Sequence, residues 1–251
     1  MFFGPCRKGT LAEGGLIVVI IAGLQKHSLI DYPGKVACVV FFAGCNFRCP
    51  YCHNADLVRG RTDNPMDLDA FRRFLEKRRG FLDGVVISGG EPTLQEGLSA
   101  FCREIRGMGF SVKLDTNGSR PDAVAKLIAD GVLDFIAMDI KTDPERYVSM
   151  GLFPDGDAAC IFESIECIKR SGIAGEFRTT CVAPFVTEET FPAMLASIAG
   201  ADRYVLQPFV NRNVLDPEWI ERHARALSRE EMTRLAEKAS GCVGEVIVLN
   251  R

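Results

Sequence analysis

The chain has 251 residues, 47% hydrophobic and 25% charged, a balance suited to one soluble globular core. A formal net charge of −3 supplies no global basic field for nucleic acid. The apolar run "LIVVII" (16–21) falls far short of the roughly 20 residues that span a bilayer, so no membrane segment is expected.

Residues 1–15, "MFFGPCRKGTLAEGG", share no pattern with the rest of the chain and read as a tail or an over-extended start. Residues 16–251 read as one domain. "LIVVII" (16–21) and "KVACVVFF" (35–42) have strand character, joined through the Pro33-Gly34 turn of "DYPGK". A helix is predicted over 66–80, with Leu68, Phe71 and Leu75 at helical spacing and Gly80 as its cap. Its basic run "RRFLEKRR" (72–79) reads as a solvated face.

Next come a strand over 84–88, a helix over 94–109, a strand over 111–116, a helix over 120–131 and a strand over 133–140. A looser stretch (141–157) precedes a helix over 159–172. Then come a strand (176–183), a helix (187–200) and a strand (202–209). The chain closes with a helix (228–241) and a strand (245–250). This β-α alternation predicts an α/β fold with a parallel sheet covered by helices. About six βα units fit after residue 35. That predicts an open (β/α)6 partial barrel with an N-terminal strand extension, its site where the βα loops gather.

Ten cysteines lack the framework of a short secreted chain, so a reducing cytoplasm is expected. Most lie in apolar periodic segments, where a free thiol packs like a small hydrophobe. Cys45, Cys49 and Cys52 differ: they stand at CxxxCxxC spacing in a loop just after a strand. They could be unrelated buried thiols. They could bind zinc with His53 as fourth ligand, although structural zinc sites use two separated pairs and no second CxxC exists in the chain. They could hold three irons of a cubane cluster and leave the fourth open to a ligand that is not protein. The missing fourth cysteine favours the last reading.

With Tyr51 before the last cysteine, and with "SGGEPTL" (88–94) 37 residues on at the next strand end, the chain resembles the radical S-adenosylmethionine superfamily. The resemblance implies one 4Fe-4S cluster on Cys45, Cys49 and Cys52, with S-adenosylmethionine chelating the open iron. An electron from the cluster would cleave it to methionine and a 5′-deoxyadenosyl radical, which takes a hydrogen atom from the substrate. Gly89, Gly90, Glu91 and Pro92 would recognise the methionyl amino group. Asp115 and Asn117 of "LDTNG" and Asp139 and Lys141 of "MDIK" would point into the same site. Asp115 and Asp139 could also hold a small monovalent cation. Arg178 and Gln207 are further contact candidates, whose plain readings are a salt bridge and a polar strand residue.

His53-Asn54 after the third cysteine, and "LIDYPGKVACVVFFAGC" before it, resemble the activating enzymes of glycyl radical enzymes. "SLIDYPG", "FIAMDIKTDPERY", "EFRTTCVAP" and "ADRYVLQPF" are similar to the activating proteins of anaerobic (class III) ribonucleoside-triphosphate reductase. That resemblance implies a protein substrate, a glycine Cα as hydrogen donor, and flavodoxin or ferredoxin as reductant. No ferredoxin-like insert comes after Cys52, which leaves the pyruvate formate-lyase type as the nearer alternative. A small-molecule radical enzyme like 7-carboxy-7-deazaguanine synthase, a zinc-binding module and a plain electron carrier are the others.

Overall fold

Six stretches in which a strand pattern gives way to a helix pattern become six βα units. The computed structural model describes residues 19–62, 64–154 and 156–249. The 1–15 tail and residues 16–18 of the first predicted strand lie outside the described residues. In chain order the elements are β1 (Ile21–Ser28), β2 (Ala37–Phe42), α1 (Ala55–Val58), α2 (Leu68–Glu76), β3 (Gly84–Gly89), α3 (Leu98–Gly107) and β4 (Ser111–Thr116). After these come α4 (Pro121–Ala129), β5 (Phe135–Asp139), α5 (Ala158–Arg170), β6 (Gly175–Ala183), α6 (Phe191–Ser197) and β7 (Arg203–Pro208). The last are α7 (Pro217–His223), β8 (Arg225–Ala226), α8 (Arg229–Ser240) and β9 (Glu245–Val248).

The sheet runs β1-β2-β3-β4-β5-β6-β7-β9, with β8 attached to β6. From β2 to β9 every step along that path is parallel, and β1 joins β2 antiparallel. The path ends without β9 meeting β1 or β2, so the barrel is open, as expected. The β1–β2 turn obeys its sequence: Gly34 sits at φ +71°, and Lys35 N–H donates to Tyr32 O at 3.1 Å. Proline followed by a positive-φ glycine is what a type II turn requires.

Alternation along each strand sorts side chains to two faces. The outer face carries the large core against the helices, including Val40, Phe42, Val85, Ile87, Val112, Leu114 and Ile136. The inner face is narrower. Ala37, Val39, Val86, Phe135 and Ala137 pack there around Tyr32, which plugs the base of the barrel from the β1–β2 turn. Higher up, the inner face turns charged.

Several boundaries differ from expectation. The first strand begins at Ile21, where the apolar run ends, because its ladder to β2 decides its limits rather than its hydrophobicity. The helix expected from residue 94 starts at Leu98, after a 3-10 turn over Pro92–Leu94. The helix expected from 187 starts at Phe191, because the Thr187 and Thr190 hydroxyls bind nearby backbone groups instead. Gly80 is not the cap of α2, which ends at Glu76; it takes the next turn at φ +78°. Among the described residues, no helix is long and apolar enough to cross a membrane.

Candidate active site

The cysteine loop leaves the C-terminal end of β2 through Gly44, at φ +88°. It is pinned from three sides. Phe47 is buried between Tyr147 and Phe153, with ring centroids 5.6 and 4.8 Å away, and Arg48 N–H donates to Leu152 O at 2.9 Å. Those partners come from the stretch read as loose, 141–157. Tyr51 lies against Phe185 and Phe209, at 5.2 and 6.4 Å. Segment 210–216 clasps the loop from outside. Asp216 N–H donates to Pro50 O at 3.0 Å, Arg59 Nη2 donates to Leu215 O at 3.0 Å, and His53 Nε2 lies 2.8 Å from Val210 O.

Packing alone requires glycine at both 89 and 90. A Cβ on Gly90 would stand 1.8 Å from Gly44 O, and one on Gly89 would stand 2.2 Å from Phe42 N. The two backbones are zipped together, with Gly90 N–H donating to Phe42 O at 2.9 Å and Glu91 N–H to Gly44 O at 2.8 Å. Both glycines also line the cavity, so the turn that packs on the root of the cysteine loop is part of the site wall.

Glu91 is fully buried and accepts four hydrogen bonds. Oε1 takes Thr93 N–H at 3.1 Å, Thr93 Oγ1 at 2.6 Å and Thr116 Oγ1 at 2.8 Å; Oε2 takes Asn117 N–H at 2.7 Å. Burial raises its pKa, and the Thr93, Asn117 and Thr116 donors oppose that rise. The carboxylate thus ties the β3 end to the β4 end. Asn117 in turn donates to Asn46 Oδ1 at 3.1 Å and approaches Cys45 Sγ at 3.9 Å.

A ladder of charge crosses the inner face. Lys113 pairs with Asp115 at 2.6 Å, Arg178 with Asp115 at 3.3 Å and with Asp139 at 2.9 Å, and Asp139 with Lys141 at 2.8 Å. Parallel register sets Asp139 beside Arg178. Burial pushes the Asp139 carboxyl up, but Arg178 and Lys141 outweigh it and hold the group well below the usual carboxylate range. Both aspartates face cations already. Glu176, buried two residues before Arg178 on the same face, adds a third carboxylate to the three cations, so the ladder is close to charge-balanced.

These elements enclose a cavity of about 220 Å³. Cys45, Cys49, Tyr51, Cys52, Gly89, Gly90, Glu91, Asp115, Asn117, Asp139, Lys141 and Arg178 all line it, each singled out by its sequence. Pro92 is buried beneath, opening the 3-10 turn, and Gln207 pairs with Thr180 in the β6–β7 register, on the same face, but does not line the cavity. Ser88 and Thr116 also line it, inside the stretches "SGGEPTL" and "LDTNG" but not singled out there, and Thr180 had no motif to announce it. Period-two spacing from Arg178 would have found Thr180.

The donor set fits a cluster with one open iron. Burial pushes the Cys45 and Cys49 thiols up to about 11 and about 12 and also raises Cys52, while Lys141 acts to lower all three. Free thiols there keep their protons, and iron is the further positive charge that would hold them as thiolates. Among the described residues no fourth cysteine lines the cavity, and no three His, Cys, Asp or Glu side chains converge on a single-ion position. His53 Nε2 is held by Val210 O, which among the described residues leaves Nδ1 as its one free ring nitrogen. Tyr51 Oη is buried with no hydrogen-bond partner by geometry among the described residues, and the Cys49 thiol interacts with it and raises its pKa.

Comparison with known proteins agrees. The profile of the Radical SAM superfamily matches residues 39–198. The Methanocaldococcus jannaschii protein MJ1227, provisionally named a glycyl-radical enzyme activating enzyme, is 34% identical over 210 residues, covering 80% of this chain and 84% of its own. The pyruvate formate-lyase 1-activating enzyme of Escherichia coli is 33% identical over 128 residues, 48% of this chain and 51% of that one. Among solved structures, Streptococcus suis SuiB bound to the precursor peptide SuiA superposes with a TM-score of 0.66, over 84% of this chain and 48% of that chain. At 12% identity that likeness speaks for the fold alone. On the match over residues 39–198 and the relative spanning four-fifths of its length, the chain belongs to the radical SAM superfamily, among the activating enzymes of glycyl radical enzymes.

Proposed function

We propose that this enzyme works in the cytoplasm on an anaerobic (class III) ribonucleoside-triphosphate reductase, taking one hydrogen atom from a glycine Cα. The observation that carries the partner is the placing of the four stretches similar to that group. Tyr32 of "SLIDYPG" plugs the barrel base, and Tyr147 of "FIAMDIKTDPERY" accepts from Lys141 N–H at 2.7 Å. Thr179 of "EFRTTCVAP" lies 2.7 Å from Tyr204 of "ADRYVLQPF". The stretches thus form the frame of the site. The pyruvate formate-lyase type is the second reading, favoured by relatives of that name at 30–33% identity over about half of the chain.

Cys45, Cys49 and Cys52 would hold three irons of one 4Fe-4S cluster. When bound, the cluster and S-adenosylmethionine supply reductive C–S cleavage and hydrogen abstraction. The chain's own residues set the conditions. Lys141 offsets thiolate charge, as its effect on all three thiols indicates. Arg178 and Lys141 would receive the methionyl carboxylate, while Asp115, Asn117, Gln207 and the Gly89–Pro92 turn would fix the rest of the molecule. Phe47, Tyr51 and Val58 form the apolar wall that excludes water. A monovalent cation beside Asp115 and Asp139 would share those carboxylates with Arg178. Exchange of potassium for a tetraalkylammonium ion should then weaken S-adenosylmethionine binding.

The test is anaerobic reconstitution and reduction, followed by S-adenosylmethionine cleavage and then electron paramagnetic resonance with the reductase present. A glycyl signal on the reductase supports the reading. Cleavage without that signal, and with one on pyruvate formate-lyase, moves the assignment to the second type.

A further inference from the structure

A second cavity, of about 560 Å³, lies behind the cysteine loop, outside the active-site cavity. Arg48, Arg59, Met150, Asp216 and Trp219 line it. Arginine, methionine and tryptophan are the residue types that interfaces favour over the rest of a surface. Both arginines are exposed, and neither guanidinium has a carboxylate partner among the described residues. Arg48 donates instead to the carbonyls of Cys45 and Phe47, at 2.8 and 3.1 Å, and Arg59 donates to Leu215. The neighbouring acids are engaged. Asp216 accepts from Trp219 N–H at 2.9 Å, and Glu218 pairs with Arg222 at 2.7 Å. Set against the one carboxylate of Asp216, the two arginines leave the groove net positive on an otherwise acidic chain.

Its floor leads inward. Trp219 stacks on Phe185 at 5.4 Å and 27°, and Phe185 lies 5.2 Å from Tyr51. Tyr51 lines the active-site cavity with its unpartnered hydroxyl toward Cys49. Three rings in series thus connect the groove to a cysteine ligand, through gaps of van der Waals size. Electronic coupling decays exponentially with such gaps, so a short-gap path dominates transfer. The aromatic series and the unpaired arginines occupy the same groove.

We propose that this groove is the docking face of an acidic one-electron carrier protein, and that Trp219, Phe185 and Tyr51 form the path inward. The inference rests on the proposed need for an external reductant. One electron leaves the reduced carrier, which is oxidised, and one arrives at the cluster on Cys45, Cys49 and Cys52; no proton and no bond changes hands.

The test uses the reconstituted enzyme with flavodoxin as the probe. Arg59→Glu should weaken flavodoxin binding in anaerobic calorimetry about tenfold at low ionic strength and flatten its salt dependence. Dithionite-driven cleavage of S-adenosylmethionine should stay at the wild-type rate. Trp219→Ala should lose most of the cluster reduction rate at saturating flavodoxin, followed by stopped-flow absorbance, and Trp219→Phe should restore it. Arg48→Glu is a second docking probe. Unchanged flavodoxin binding in both arginine variants, or an equal fall in the dithionite rate with Trp219→Ala, would overturn the proposal. So would weakened reductase binding with flavodoxin binding intact. If the wild-type enzyme cleaves nothing with dithionite, it is the functional reading that fails, and calorimetry still decides the groove.

Discussion

Replacing Glu91 by glutamine asks whether that carboxylate serves the fold or a ligand. The change keeps shape and removes one acceptor. Four donors converge on the carboxylate, three on Oε1 and the Asn117 N–H on Oε2. Whichever way the amide is turned, its NH2 group faces a buried donor. With the NH2 turned toward Asn117, the less costly orientation, one hydrogen bond disappears and two donors are left opposed, at a cost of about 3 kcal/mol for a site without water. At about 2–4 °C per kcal/mol for a chain of this size, Tm should fall by about 6–12 °C. The assay is anaerobic thermal unfolding of the protein without S-adenosylmethionine, followed by circular dichroism. Hydrogen exchange at the Asn117 amide should accelerate in parallel. A Tm within about 1 °C of wild type, together with lost S-adenosylmethionine affinity, would refute the architectural role and make Glu91 a ligand contact.

Gly90→Ala forces a Cβ onto Gly44 O and should cost about 3 kcal/mol or more, read as lost soluble yield or a comparable fall in Tm. Tyr51→Phe removes a buried hydroxyl without a partner, so Tm of the cluster-free protein should hold or rise, while cluster retention on exposure to chelator reports any contact the hydroxyl makes. Asp139 is depressed in the folded state, so its stabilising share is present above about pH 4 and drains as pH falls toward the folded value. The stability gap between wild type and Asp139→Asn, from urea unfolding, should therefore be widest near neutrality and narrow in acid; a gap independent of pH would dismiss the ladder's role. Cys49→Ala should abolish iron retention after reconstitution, measured as iron per chain, along with cleavage.

Much of this could be read from residues alone because the barrel is built from local rules. Strand-to-helix alternation gave the βα units, and three thiols with no fourth gave the open-iron chemistry. Asp115, Asp139, Lys141 and Arg178 were legible because charges at buried strand ends need partners. What escaped is what depends on distant pairing. The first strand was placed on its hydrophobic run, yet its ladder to β2 starts at Ile21. Stretch 141–157 looked loose because its order is tertiary, through Tyr147, Leu152 and Phe153 around Phe47. The short helices α1 and α7 went unread for the same reason: each is held by the clasp between the cysteine loop and segment 210–216. The glycines of "SGGEPTL" were seen, but their packing against Gly44 O was not, because no motif reveals what lies beneath.

The clasp has a bearing on biosynthesis. Strands β2 to β7 lie side by side in the order in which a ribosome delivers them, so each can add to a sheet edge already present. The loop with the three thiols is made early and sealed late, because Val210, Leu215 and Asp216 emerge only after all of those strands. A nascent chain stopped before residue 210 keeps that loop open on its outer side.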